Sequence, residues 1–570
     1  MRRSGQRAHH AWAHQPTGLD PWFLATHGQD QGEPQVPRRG PAMSGAQAAR
    51  YHLASREPLP QGAHRDLPRG QCRWPAAVAF VAVSLFVTAC GGTPPAAVAP
   101  SGPPTDAALP PAPTPAPIAW VPCPKSPTLQ CGSVRVPLDY AHPTGTSIAI
   151  AVTRAPAAHP APDDPTLVFN PGGPGESGNQ ILPVFLSLVP PAVRAHFSIV
   201  SFDPRGTGAS DPLDCGTSPS AVTSALPVPA AAGLPLPAST VFTPMAAACQ
   251  ARAGSLEPFI DTVNTARDMD RIREALGLQR ISYYGISYGT VLGAVYADLF
   301  PHRVATMVLD GAVDVNASLT VQAEEQAPAA ERSMDHLLAT CGGEAPCPLG
   351  HDPRSSFTAL AAALARHPLP APGNGDDHPV TVGDLDTATL FALSVPAFVP
   401  SYLQALEAAR AGEGAPLRQL ALELVTDIDG APLVDAQWAI TCNDAATHPG
   451  PVAAGALARS LAARYPLIGG FGATYALGGC VSWPAARQPV EDLHPSGTPP
   501  ILVIGNTGDP NTPLVGAVHL AAAFSDARLL TWQGFGHTWI LSGSGDTCMQ
   551  NWVGRYLLGS GPPPAGTVCN

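Results

Sequence analysis

Three side chains far apart in this 570-residue chain could do one piece of chemistry together. Ser287 stands inside Gly285-Ile286-Ser287-Tyr288-Gly289, Asp509 inside Gly508-Asp509-Pro510, and His537 inside Gly536-His537-Thr538. A serine hydroxyl is a weak nucleophile until an imidazole takes its proton, and a carboxylate fixes that imidazole's tautomer and stabilises its charged form. The three occur in the order Ser, Asp, His, each just beyond a short apolar run. In a chain with 55 glycines, a GxSxG pattern alone says little. Its context says more. Ile281 to Tyr284 reads as a buried strand, and Thr290 to Leu299 carries helical spacing. A strand turning sharply into a helix pushes the serine out at the sheet's carboxyl edge. Asp310, after the next strand, is the rival acid. His519 is the rival base and reads as a packing residue on a helix.

The elements around these residues must place them on one sheet. Cys131 to Leu138 and Ser147 to Arg154 alternate like paired strands. Thr166 to Phe169 is a strand that runs into Asn170-Pro171-Gly172-Gly173-Pro174-Gly175-Glu176-Ser177-Gly178. A glycine cluster after a strand lets backbone N–H groups approach a developing oxyanion, so Gly173 is expected as one donor and Tyr288 as the other. No Gly-Lys-Ser/Thr follows, which argues against a phosphate loop. Phe197 to Phe202 is a strand before Asp203-Pro204-Arg205-Gly206, where Asp203 and Arg205 read as an internal ion pair. Asn264 to Leu276 is an amphipathic helix with Asp268, Arg271 and Glu274 on its polar side. Ala305 to Leu309, Pro500 to Gly505 and Arg528 to Trp532 are the remaining strands.

Between roughly Asn316 and Leu493 the strand–helix rhythm stops. Helices are expected at Gln322–Ala339, Ser356–Ala365, Asp384–Leu393, Ser401–Ala411, Leu417–Leu424 and Val452–Tyr465. Such an insertion would sit over the carboxyl edge as a lid that excludes water. Glu324, Glu325 and Glu331 are acids in its first helix; one of them could receive a substrate ammonium.

Composition sets the compartment. Hydrophobic residues make up 45% of the chain and charged residues 13%, which marks a globular protein, while 68 prolines point to long irregular segments. The net charge of −12 argues against a nucleic-acid partner. Met1 to about Gly70 shows no apolar periodicity and reads as an overlong start. Arg69 and Arg73 precede Ala76 to Ala89, a run too short to span a bilayer and suited to a signal peptide. Its end, Val87-Thr88-Ala89-Cys90, resembles a bacterial lipobox, which makes Cys90 the expected lipid anchor. Residues 91–119 form a Pro/Ala-rich tether. Ten cysteines remain beyond Cys72 and Cys90, and export makes disulfides the natural reading: Cys123–Cys131, Cys215–Cys249, Cys341–Cys347, Cys442–Cys480 and Cys548–Cys569. No CxxC pattern or His cluster speaks for a metal, and no cofactor is expected.

Taken together, NPGGPG, DPRGTG, GISYG, GDPNTP and GFGH resemble the secreted bacterial tripeptidyl aminopeptidases, relatives of the proline iminopeptidases. The resemblance covers Ala119 to the C-terminus. It implies an α/β-hydrolase fold, with a core at 120–315 and 494–570 and a helical cap at 316–493. It implies metal-free release of short peptides from free N-termini, with Ser287, Asp509 and His537 as triad and Gly173 and Tyr288 as oxyanion hole. Glu176 stands where the family has Gly, and Glu331 falls near a family acid. Both are expected at the substrate, a peptide or small acyl compound. The expected protein is a monomer and extracytoplasmic, either held to the membrane by lipid alone or secreted, the latter if the signal is an ordinary secretory one and Cys90 incidental. An esterase or amidase with the same residues, and an inactive binding protein on the same fold, are the alternatives.

Overall fold

The computed structural model describes residues 109–158, 165–228, 233–341, 347–371 and 378–570. The N-terminal extension, the signal segment, Cys90 and most of the tether lie outside the described residues.

A single ten-stranded sheet organises the described chain. Its strands are β1 (Val121–Pro122), β2 (Gln130–Pro137), β3 (Ser147–Ala155), β4 (Thr166–Asn170), β5 (Ser198–Phe202), β6 (Ile281–Ile286), β7 (Val304–Asp310), β8 (Ile501–Gly508), β9 (Ala527–Phe535) and β10 (Val568–Cys569). Across the sheet they run β1-β2-β3-β5-β4-β6-β7-β8-β9-β10. The first pairings are antiparallel, through β3 against β5. From β5 onward every pair is parallel. Parallel strands need helical crossovers that cover both faces, so the central strands are buried on both sides. Accordingly β5 and β6 read as unbroken apolar and small runs, buried at every residue. Helix Tyr288–Leu299 packs on one face with Met269, Ile272 and Leu309. Phe185, Trp539 and Tyr556 fill the other.

The chain leaves the sheet after β7 and returns at β8. Among the described residues, eight α-helices lie between: Leu319–Thr340, Pro353–Arg366, Val382–Ser394, Val399–Arg410, Ala415–Leu422, Val434–Asp444, Pro451–Arg464 and Gly469–Gly478. At the neck, the Asn316 side-chain amide donates to Leu493 O at 3.1 Å and its Oδ1 accepts the Leu493 N–H at 2.8 Å. Two more helices, Pro219–Ser224 and Ser239–Ala253, come from the segment after β5 and pack into the same apolar cluster through Val222, Phe242 and Met245. Among the described residues no single helix is long and apolar enough to cross a membrane.

Two expectations are corrected here. Arg205 does not pair with Asp203. Its guanidinium meets both oxygens of Asp268, at 2.7 and 2.6 Å, with both side chains fully buried. Asp268 therefore faces the interior, because helix Thr262–Ala275 is covered on nearly every side. Asp203 instead accepts the Ser177 hydroxyl at 2.6 Å and the N–H groups of Asn179 and Ala209. His519 is not a packing residue either: its ring is half exposed and meets Asp314 at 2.7 Å.

Among the described residues, five disulfides close the chain: Cys123–Cys131, Cys215–Cys249, Cys341–Cys347, Cys442–Cys480 and Cys548–Cys569. A set of this density belongs to an oxidising, extracytoplasmic compartment.

Candidate active site

Ser287 sits between β6 and helix Tyr288–Leu299 with φ 54° and ψ −121°, a conformation few residues with a Cβ adopt. Such backbone strain costs roughly 1–3 kcal/mol and persists only where neighbours over-determine it. They do so here. The Ser287 N–H donates to Asp310 O at 2.9 Å, and Ser287 O accepts from the Thr290 N–H and hydroxyl at 2.8 and 2.6 Å. The flanking glycines make the turn possible: a Cβ on Gly285 would lie 2.3 Å from Gly289 O, and one on Gly289 would lie 2.8 Å from Asn170 O. The first N–H groups of a helix have no intrahelical acceptor, so Tyr288 N–H opens toward the carboxyl edge beside the serine. The Tyr288 hydroxyl meets Thr262 Oγ1 at 2.6 Å, and Thr262 in turn donates to Asp444 at 2.5 Å. A cap residue thus holds the residue that follows Ser287.

The glycine loop after β4 lies against this turn. A Cβ on Gly172 would come within 2.5 Å of Ile286 O and 3.2 Å of Tyr288 N, and its φ is +100°. Gly173 follows, exposed, on the same loop. Asp203 secures the loop's far end through Ser177, which also caps helix Gly178–Leu188. Gly172→Ala is expected to push the loop from the elbow. A displacement on the order of 1 Å costs roughly 100-fold in rate, so kcat/KM should fall by about that factor while the far-UV spectrum stays unchanged.

Asp509 follows β8 and His537 follows β9. Both oxygens of Asp509 lie 3.0 Å from His537 Nδ1. The same carboxylate accepts the N–H groups of Asn511, Thr512 and Thr538 and the Thr512 hydroxyl. Burial works to raise its pKa, but His537 and these donors hold it below the usual carboxylate value. It stays ionised beside the imidazole. His537 is also tied to the cap, its N–H donating to Ser394 O at 2.8 Å, while Asn511 donates to Ser394 Oγ. Asp310, the rival acid, accepts the N–H groups of Trp539 and Ile540 and the Tyr284 hydroxyl. Burial pushes its pKa up to about 6. Its oxygens hold the short helix after His537, whereas Asp509 holds the ring. The structure thus brings Ser287, Asp509 and His537 to the carboxyl ends of β6, β8 and β9. Of the supporting groups, Asn511 and Thr512 stand in the GDPNTP motif with no role assigned there, whereas Thr262, Asp444 and Ser394 belong to none of the five motifs named from the sequence.

The two acids expected near the substrate part company. Glu331 is buried, and its oxygens accept the N–H groups of Leu467 and Ile468 at 3.0 to 3.2 Å. Arg354 lies 3.5 Å from it. Its acceptor capacity is used inside the cap. Glu176 is half-buried on the glycine loop, and its carboxyl has no hydrogen-bond partner among the described residues. Desolvation, with Asp427 adding repulsion, raises its pKa to about 7. The loop beside it packs on helix Val434–Asp444, where a Gly175 Cβ would lie 3.0 Å from Gln437 N.

Comparison with known proteins agrees with this architecture. A family model for the alpha/beta hydrolase fold matches residues 165–544. Serine protease Hip1 of Mycobacterium tuberculosis is 32% identical over 483 residues, spanning 80% of this chain and 91% of its own. Tripeptidyl aminopeptidase of Streptomyces coelicolor is 31% identical over 462 residues, spanning 77% and 83%. Carboxylesterase B of Mycobacterium tuberculosis is 31% identical over 476 residues, spanning 78% and 86%. By fold and by these relatives, the chain belongs to the alpha/beta hydrolase family and is a serine hydrolase.

Proposed function

We propose that this hydrolase is an exported exopeptidase that releases short peptides from free N-termini through an acyl-enzyme. Ser287 Oγ attacks the scissile carbonyl and passes its proton to His537 Nε2. Asp509 keeps the proton on Nδ1 and stabilises the imidazolium. The N–H groups of Tyr288 and Gly173 hold the oxyanion. His537 then protonates the leaving amine, and water resolves the acyl-enzyme by the reverse proton path. Export fits the disulfides, and Cys90 would supply the lipid anchor.

The relatives carry both protease and esterase names at nearly the same identity, so names do not choose between peptide and ester. Glu176 carries the choice. It is a carboxyl with no hydrogen-bond partner among the described residues, on the same glycine loop as Gly173. Removing one charge-assisted contact costs about 1.5–3 kcal/mol. Glu176→Gln should therefore raise KM for free-amine tripeptidyl anilides at least ~10-fold with little change in kcat, and leave N-acetylated analogues and nitrophenyl esters unaffected. The pH dependence has a definite sign. Ionisation of Glu176 as pH rises through about 7 should lower KM; above about 8 the substrate amine loses its charge and KM should rise again. Equal rates on blocked and free peptides would remove the exopeptidase reading, and turnover of esters alone would favour the esterase.

A further inference from the structure

Away from this site, three ligating side chains meet where the cap leaves the sheet. Asp314 lies on the segment after β7, Glu325 on the first cap helix, Leu319–Thr340, and His519 on the core helix Leu514–Ala523. One ligand atom from each falls within 4.8 Å of the other two. His519 Nδ1 is 2.7 Å from Asp314 Oδ2 and 3.8 Å from Glu325 Oε1. Close approach of the segments is built in: a Cβ on Gly516, one turn before His519, would lie 3.1 Å from Ala312 O and 3.2 Å from Asp314 N. Asp314 is further fixed by the Asn316 N–H on its Oδ1, and its carbonyl accepts from Gln322. That leaves Oδ2 facing the imidazole.

We propose that Asp314, Glu325 and His519 form a divalent zinc site that clamps the cap to the core. Zinc bonds nitrogen and carboxylate oxygen at about 2.0–2.2 Å in a tetrahedron, which sets donor separations near ~3.3 Å. The two imidazole–carboxylate spacings, 2.7 and 3.8 Å, bracket that value, and the two carboxylates lie within 4.8 Å of each other, so side-chain rotations can close the site. The donor set is one imidazole and two carboxylates, a combination that suits zinc and not magnesium or calcium, which take oxygen ligands in larger number. Two carboxylates facing each other repel, and a dication offsets both. The half-exposed ring leaves the fourth position to water. Because the ligands come from strand exit, cap helix and core helix, an ion there ties the cap's first helix to the sheet. That helix also supplies Ser333, whose hydroxyl donates to Gly508 O next to Asp509.

Calorimetric titration of the full chain with Zn2+ tests this. A single equivalent bound by the wild type should disappear in Asp314→Asn, in Glu325→Gln and in His519→Gln alike, with Mg2+ and Ca2+ failing to compete. Hydrogen exchange within Leu319–Thr340 should slow on adding zinc to the wild type and not to the variants. Unchanged stoichiometry in the three variants overturns the site. Loss in His519→Gln alone also overturns it, since that result describes an isolated surface imidazole in an ordinary ion pair with Asp314.

Discussion

Ser287→Ala is expected to lower kcat by about a million-fold, the loss seen when a serine nucleophile acting as a unit with its base is removed. The substitution is clean here. Alanine keeps the Cβ and so the same positive-φ strain, and the bonds that pin the turn run through the Ser287 backbone. Folding and substrate binding should therefore survive. Rate measurements on a tripeptidyl anilide and labelling with a fluorophosphonate read the effect directly. Adding His537→Ala to Ser287→Ala should cost little more, because the two groups act as one device. Retention of a few per cent of activity in Ser287→Ala would exclude the acyl-enzyme route.

Asp268→Ala carries the largest expected stability loss. It leaves Arg205 buried with three backbone carbonyls, of Pro137, Leu138 and Phe259, and without its hydrogen-bonded counter-charge, Asp261 acting only at longer range. Tyr140, whose hydroxyl donates to Asp268 at 2.8 Å, loses its acceptor as well. Removing one partner of a buried pair costs about 3–5 kcal/mol, whereas replacing both by apolar residues of like volume is often near neutral. The urea midpoint of Asp268→Ala should fall accordingly, and Arg205→Met with Asp268→Leu should recover most of the loss. A shift under about 1 kcal/mol in the single variant would mean that water reaches the guanidinium.

The same pair shows where reading the sequence stops. Asp268 stands among Arg267, Asp270, Arg271 and Glu274, so helical spacing assigns it to a wet face. Charge spacing does not distinguish solvent from a buried partner contributed by Arg205, distant in the chain. Strands are more legible, because β4, β5, β6 and β8 are short, largely apolar runs with glycine, asparagine or aspartate at or beside their carboxyl ends. Ser287, Asp509 and His537 stand out for the same reason, since each follows such a run. Helix Gly469–Gly478 is not legible: four glycines in ten residues give poor helix propensity. It forms because its glycines admit close neighbours, Gly470 against Ala462 and Gly478 against Phe242. Helix Ser239–Ala253 is likewise obscure, with Pro244 inside it and almost no amphipathic pattern to its residues; Phe242, Met245 and Cys249 bury it in the cap cluster.

The paired hydrogen bonds between Asn316 and Leu493 have a consequence for ancestry. A polypeptide that departs and re-enters through one doorway leaves β7 and β8 directly paired, Val308 opposite Leu502. The sheet's register therefore owes nothing to what is threaded between them. Loop-closure entropy grows only slowly with length, so longer or shorter excursions cost the core little. Selection can thus remodel the vestibule that meets the substrate while the machinery beneath it keeps its alignment.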